Sequence, residues 1–120
     1  MGADSWDQWV PWVTDVRSSL EKAQATELEA RGISSVEEAY EEAQEAISFC
    51  CVLDVFDSTH HELSEAEVTS LVGSAKPTHA QITAAKARIF DSVLRGESLC
   101  ITAYENGVPS EVFFAGFTVD

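Results

Sequence analysis

The end of the chain imposes the strongest constraint on its fold. Leu99-Cys100-Ile101-Thr102-Ala103-Tyr104 alternates with a period of two and is rich in strand-forming residues. Glu105-Asn106-Gly107 follows, and Asn-Gly is the characteristic dipeptide of a two-residue hairpin turn. Glu111 to Val119, with Phe113, Phe114 and Phe117, reads as the return strand. Pro109 donates no backbone N–H, which argues against a central strand at that point. An isolated hairpin is marginal in water. This pair, about 98–105 and 111–119, therefore has to pack on helices or pair with a second copy of the chain.

Upstream of the hairpin the pattern reads as helical. Ser5 and Gln8 have capping-box spacing, which predicts a short turn, and Pro11 suits the first position of a helix. A first helix over about 11–31 would bury Trp12, Val13, Val16, Leu20, Ala23 and Leu28 and stop at Gly32. Trp6, Trp9 and Trp12, three residues apart, would form an aromatic row packed on the core, or alternatively an anchor in a partner or dimer interface. Ser64-Glu65-Ala66-Glu67 is a capping box opening a helix over about 65–72, closed by Gly73. Thr78 caps a helix over about 79–95 with the stripe Ile82, Ala85, Ile89, Phe90 and Val93.

The remaining stretch, Ile33 to Leu63, is the predicted axis of the fold. Ser35 and Glu38 form another capping box, and Val36, Ala39, Tyr40, Ala43, Ala46, Ile47, Cys50 and Cys51 recur at helical spacing. Its second half, Phe49 to Phe56, is apolar nearly all round, as in a helix enclosed by others. The expected fold is thus α+β and predominantly helical. About four helices surround a central acidic and apolar helix (about 35–60), with a C-terminal β-hairpin, in one domain spanning 1–120.

Charge narrows the function. The 120 residues carry a net charge of −14. From Gly32 to Ala75 there is no Lys or Arg, against ten acids: Glu37, Glu38, Glu41, Glu42, Glu45, Asp54, Asp57, Glu62, Glu65 and Glu67. Direct nucleic-acid binding needs cations to displace phosphate counterions, so this balance argues against it. It favours basic partners instead. Three cysteines, two of them adjacent and none in a C-x-x-C pair, point to a reducing cytoplasm rather than a disulfide framework or zinc ribbon. No apolar run approaches the ~20 residues of a membrane span, and the N-terminus shows no basic-then-apolar leader pattern. A cytoplasmic protein without membrane contact is expected.

Few residue groups have the makings of chemistry. Asp57 and His60 have the i, i+3 spacing of carboxylate–histidine metal sites, with His61, Glu62 and Asp54 nearby. Such sites need a matching helix, and no other predicted helix offers Glu-x-x-His, so these read as polar residues where a helix emerges into solvent. His79 has no assigned role. Cys50, Cys51 and Cys100 lie among apolar residues, unlike reactive thiols. No nucleophile elbow or Gly-rich phosphate loop is present. The expectation is a protein without enzymatic activity, metal or cofactor.

That leaves the carboxylates. Glu37, Glu41 and Glu45 would form one row on a helix and Glu38 and Glu42 the next, spaced by about 6 Å. Like charges at i, i+4 destabilise a helix by about 0.2–0.5 kcal/mol per pair, and no cation relieves them. A binding surface tolerates that cost. A nucleic-acid strand carries one charge per ~3.4 Å, so a rigid carboxylate row can stand in for it in a basic cleft. The candidate partner-binding residues are these five glutamates, extended by Asp54, Asp57, Glu62, Glu65 and Glu67.

On Ser35 to Ile47, an acidic helix punctuated by Ala, and on Ala87-Arg88-Ile89-Phe90 further on, the chain resembles the phage antirestriction DNA mimics of the overcome-classical-restriction type. An apolar segment of similar length separates the two stretches, and together they cover about half the chain. The hairpin and the Trp row have no counterpart. The resemblance implies a small acidic, mainly helical dimer that occupies the DNA groove of a restriction enzyme; anti-CRISPR proteins, which share the look without sharing a fold, extend the expected target class to a CRISPR-type defence nuclease. An immunity protein bound to one cognate toxin, and a generic acidic domain kept soluble by its charge, are the alternatives.

Overall fold

The computed structural model describes residues 5–32, 51–55, 60–94 and 96–117, with Asp54 described by its backbone. In chain order the elements are β1 (Ser5–Pro11), α1 (Val16–Arg31), a 3-10 turn (Val52–Asp54), β2 (His60–Glu62) and α2 (Glu65–Val72). They continue with α3 (His79–Ala84), α4 (Lys86–Asp91), β3 (Ser98–Glu105) and β4 (Val108–Phe117). The four strands form one mixed sheet in the order β1-β4-β3-β2, antiparallel except for the parallel β2–β3 pair.

The hairpin turn forms where the sequence implies, but the return strand begins at Val108 rather than Glu111. Asn106 and Gly107 both take positive φ, 54° and 78°, which matches the strand twist of a tight two-residue turn. Pro109 is nevertheless inside β4. It pairs with Tyr104 at a register shift, beyond the point where β1 ends opposite Glu111, so its missing N–H removes no ladder bond on the β1 side. Tyr104 donates its own N–H to Pro77 O at 2.8 Å, which ties the α2–α3 connection to the sheet.

A predominantly helical chain with strands only in a C-terminal hairpin is not what forms. Residues 5–11 are a strand along the outer side of β4, from Ser5 opposite Phe117 to Pro11 opposite Glu111. Period two, not three, then governs the tryptophans. Trp6 and Val10 are buried on one face of the sheet, while Trp9 lies on the other against Phe113. Gln8 makes no capping box with Ser5; its Oε1 accepts the Val52 N–H at 3.1 Å. α1 consequently starts at Val16 rather than near Pro11. Asp15 is its N-cap, with its carboxylate accepting the Ser18 N–H at 2.7 Å, and Gly32 ends it in the left-handed conformation as expected.

The central-helix expectation fails over its last part. Cys51 and Val55 are extended, the turn between them is 3-10, and 60–62 is a strand, so no helix runs to residue 60. Residues 35–50 of that expected helix lie outside the described residues. α2 matches its predicted span, with Ser64 and Glu67 forming the capping box and Gly73 in the left-handed conformation. The helix expected over 79–95 is instead two, α3 and α4, joined at Ala85, whose N–H is shared between the Gln81 and Ile82 carbonyls.

Both faces of the sheet are covered. On one, Leu99, Ile101, Ala103, Phe113 and Ala115 pack against Val68, Ile82, Ala85, Ile89 and Val93 from α2 to α4 and the turn beyond. On the other, Trp6, Val10, Cys100, Val112 and Phe114 meet Leu20 of α1 and Val52 and Val55 of the 3-10 segment. This explains the consecutive apolar run 112–115: neighbouring residues point to opposite faces, and each face is closed. Phe113 and Phe114 are wholly buried, a burial worth about 1.5–3 kcal/mol for each side chain.

Candidate partner-binding surface

Six of the ten proposed contact residues, Glu37, Glu38, Glu41, Glu42, Glu45 and Asp57, lie outside the described residues. Asp54 closes the 3-10 turn. That turn is held by two glutamines: Gln8 accepts the Val52 N–H, and Gln24 Nε2 donates to Val52 O at 3.0 Å. Nothing in the sequence marks Gln8 and Gln24 as a pair, because the segment they grip is distant from both.

Glu62, Glu65 and Glu67 are all exposed, and among the described residues none pairs with a Lys or Arg. They do not form one face. Glu62 pairs in register with Cys100, so it lies on the α1 side of the sheet, whereas α2 covers the opposite side. Glu65 and Glu67 occupy the first turn of α2, where a carboxylate also offsets the partial positive charge of the helix terminus. Glu67 is fixed there: its Oε1 accepts the Ser64 N–H at 2.9 Å while its own N–H donates to Ser64 Oγ at 3.2 Å. The backbone hydrogen bond from Ser64, followed by the side-chain one, holds the Glu67 carboxyl below its usual range.

The neighbouring histidines are split by the strand. His60 Nδ1 lies 2.8 Å from Ser98 Oγ, and its ring stacks near Phe114 on the α1 side. His61 turns the other way, with Nε2 3.5 Å from Glu97 Oε1. Among the described residues no group of three or more His, Cys, Asp or Glu side chains is placed to hold a metal ion. Burial first, and then the charge of Glu62, pushes the Cys100 thiol up to about 12, so it stays protonated at neutral pH. Cys51 is also buried.

His79 has a role that its isolation in the sequence conceals. Its ring stacks on Trp9 with centroids 3.8 Å apart, and Nδ1 lies 3.0 Å from Glu111 Oε1. Lys86 sits beside it, 3.5 Å from Asp7 and above the Phe113 ring. These contacts fasten α3 and α4 to β1 and β4. They account for Asp7 and Glu111 structurally, outside the acidic stretch. No helix among the described residues is long and apolar enough to cross a membrane.

The chain matches no family model, no curated protein and no solved structure.

Proposed function

We propose that this protein is an acidic inhibitor that occupies the basic, nucleic-acid-binding surface of another protein, without catalysis. The resemblance to antirestriction DNA mimics makes a restriction or CRISPR-type defence nuclease the favoured target class. One observation carries the reading: ten carboxylates and no Lys or Arg between Gly32 and Ala75. Its exposed described members, Glu62, Glu65 and Glu67, draw no Lys or Arg from the rest of the described structure. Glu65 and Glu67 have a second reason to be acidic at the start of α2, and Glu62 lies on the other side of the sheet. The weight of the proposal rests on Glu37, Glu38, Glu41, Glu42 and Glu45.

The test is a pull-down from host lysate with the tagged protein, repeated with excess duplex DNA, across a salt series, and with the Glu41→Lys, Glu45→Lys double variant. Capture of a nuclease or other DNA-handling protein, lost under all three treatments, is the expected result. Capture of one protein that survives DNA and salt points instead to an immunity protein with a cognate toxin. Unchanged binding by the double variant overturns a role for the stripe.

A further inference from the structure

β1 is an outermost strand of the sheet, paired on one side with β4. Trp12 donates its N–H to Ser110 O at 3.1 Å. An antiparallel ladder alternates bonded with non-bonded pairs, so Val10, Gln8 and Trp6 also bond β4, opposite Val112, Phe114 and Gly116. Asp7 and Trp9, between them, turn their N–H and C=O outward. Among the described residues no strand, loop or side chain bonds these outward groups. Pro11 ends the row, since it has a C=O but no N–H to offer. The strand is held firm from the α2–α4 side, where Trp9 stacks on His79 and Asp7 pairs with Lys86.

An open groove of about 250 Å³ lies beside this row. One wall is residues 8–13, and the other is a single face of α1 that includes Lys22, Ala23, Thr26 and Glu27. Its apolar seat is Trp12 and Ala23, both half-buried, and Val13, 43 % exposed, adds to it. Lys22 and Glu27 have opposite signs, so charge does not select what enters. The unpaired main-chain groups do, because only an extended backbone can match them.

We propose that β1 is a docking edge for a partner protein, which adds an extended segment to its outer side as a fifth strand. Two alternate residues of that segment exchange main-chain hydrogen bonds with Asp7 and Trp9. The residue between them lies opposite Gln8 and turns its side chain toward α1, into the groove. That side chain is uncharged and aliphatic, to match Trp12 and Ala23. A second copy of this chain suits the groove poorly. Its own β1 presents Trp6 and Val10 on that face, and both are already buried in its core. The inference uses none of the acidic stretch and stands apart from the proposed function.

The experiment is amide hydrogen exchange and an NMR titration of the full chain with the capped peptide acetyl-Thr-Val-Thr-Val-Thr-amide. In the free protein the Asp7 and Trp9 amides should exchange fast and those of Gln8 and Val10 slowly, because only the latter bond β4. The peptide should give saturable shifts at residues 8–13, Ala23 and Thr26, and should slow exchange at Asp7 and Trp9. N-methylation of its Thr residues removes the donors aimed at β1 and should abolish the shifts. N-methylation of its Val residues, whose N–H groups face away, should leave them. Asp7→Pro deletes an outer donor but no bond to β4, and should weaken binding by about threefold to tenfold. An unchanged unfolding midpoint will show that this variant keeps its fold, and the N-methylated peptides need no variant at all. Slow exchange of Asp7 and Trp9 in the free protein overturns the proposal. The edge would then already be held by the chain itself or, if sedimentation shows a dimer, by a second copy. No saturable shifts, shifts that survive N-methylation of Thr, or indifference to Asp7→Pro overturn it equally.

Discussion

On one face of the sheet, α2, α3 and α4 follow one another within residues 65–91, and the first two each open with a capping box. On the other face, α1 and the 3-10 turn come from separate parts of the chain. α1 there buries only Ser19 and Leu20 fully, and the turn is gripped by Gln8 and Gln24. The first cover is assembled from local instructions: each cap is satisfied within three residues, and the apolar stripe recurs at helical spacing. In the second, α1 has its own local cap at Asp15, but the 3-10 turn is held by long-range hydrogen bonds whose partners meet only once the sheet exists. The two faces thus differ in how far along the chain their stability is encoded.

Truncation at the centre of each face tests whether they nonetheless melt together. Phe113→Ala on the α2–α4 side and Phe114→Ala on the α1 side should each cost about 3–5 kcal/mol in denaturant unfolding. A single transition in both variants would show one cooperative unit. Two transitions in either would separate the faces.

Loss of the glutamine grip sharpens the contrast. The Gln8→Ala, Gln24→Ala double variant leaves the Val52 N–H without its partner, at about 1–3 kcal/mol, while the Val52 C=O keeps the Val55 N–H at 3.2 Å. Amide exchange should quicken in α1 and around Val52 while α2 to α4 keep their protection. Uniform quickening would erase the distinction between the faces.

Gly116 tests the junction between β1 and the sheet. A Cβ there would stand 2.8 Å from both the Glu97 backbone oxygen and Trp6 Nε1. Gly116→Ala should therefore displace Trp6 and cost about 1–3 kcal/mol, read as a lower midpoint and altered Trp fluorescence. An unchanged spectrum would mean that the Trp6 side of the core yields more easily than its packing implies.

The smallest effects lie in the caps. Ser64→Ala should cost about 1 kcal/mol. Asp15 and Glu67, at the starts of α1 and α2, both titrate below their ordinary values of 3.8 and 4.5, chiefly because each accepts a backbone N–H. A carboxylate held low contributes stability that is present above its ordinary value and lost as pH falls through its folded value. Asp15→Asn and Glu67→Gln should accordingly each lower the midpoint slightly at neutral pH. Glu67→Gln should flatten the decline below about pH 4.5, and Asp15→Asn the decline below about pH 3.8. A steeper decline in either would reverse the sign of the argument.

Local signals in the sequence proved legible where the groups they satisfy are close by. Gly32, Gly73, Ser64–Glu67, Thr78 and Asn106-Gly107 all mark ends and turns that the structure contains. The stripe Ile82, Ala85, Ile89 and Val93 is buried as its spacing implies, even though the helix breaks at Ala85. The tryptophans misled because spacing by three is compatible with a helix face, yet alternates between faces in a strand. Of the candidate site, Glu62, Glu65 and Glu67 are placed and exposed, but on two sides of the sheet. Glu97, 3.5 Å from His61 Nε2, carries no signal in the sequence, since only the pairing of β2 with β3 brings the two together.

The sequence by itself determined the caps, the hairpin turn, the apolar run at 112–115 and the concentration of charge, because each depends on residues within a few positions of one another. Tertiary structure alone decided that residues 5–11 and 60–62 are strands and that the sheet is closed on both faces. Strand backbone groups are satisfied only by pairing across the chain, as Ser5 does opposite Phe117 and His61 opposite Leu99. No local pattern specifies such a partner.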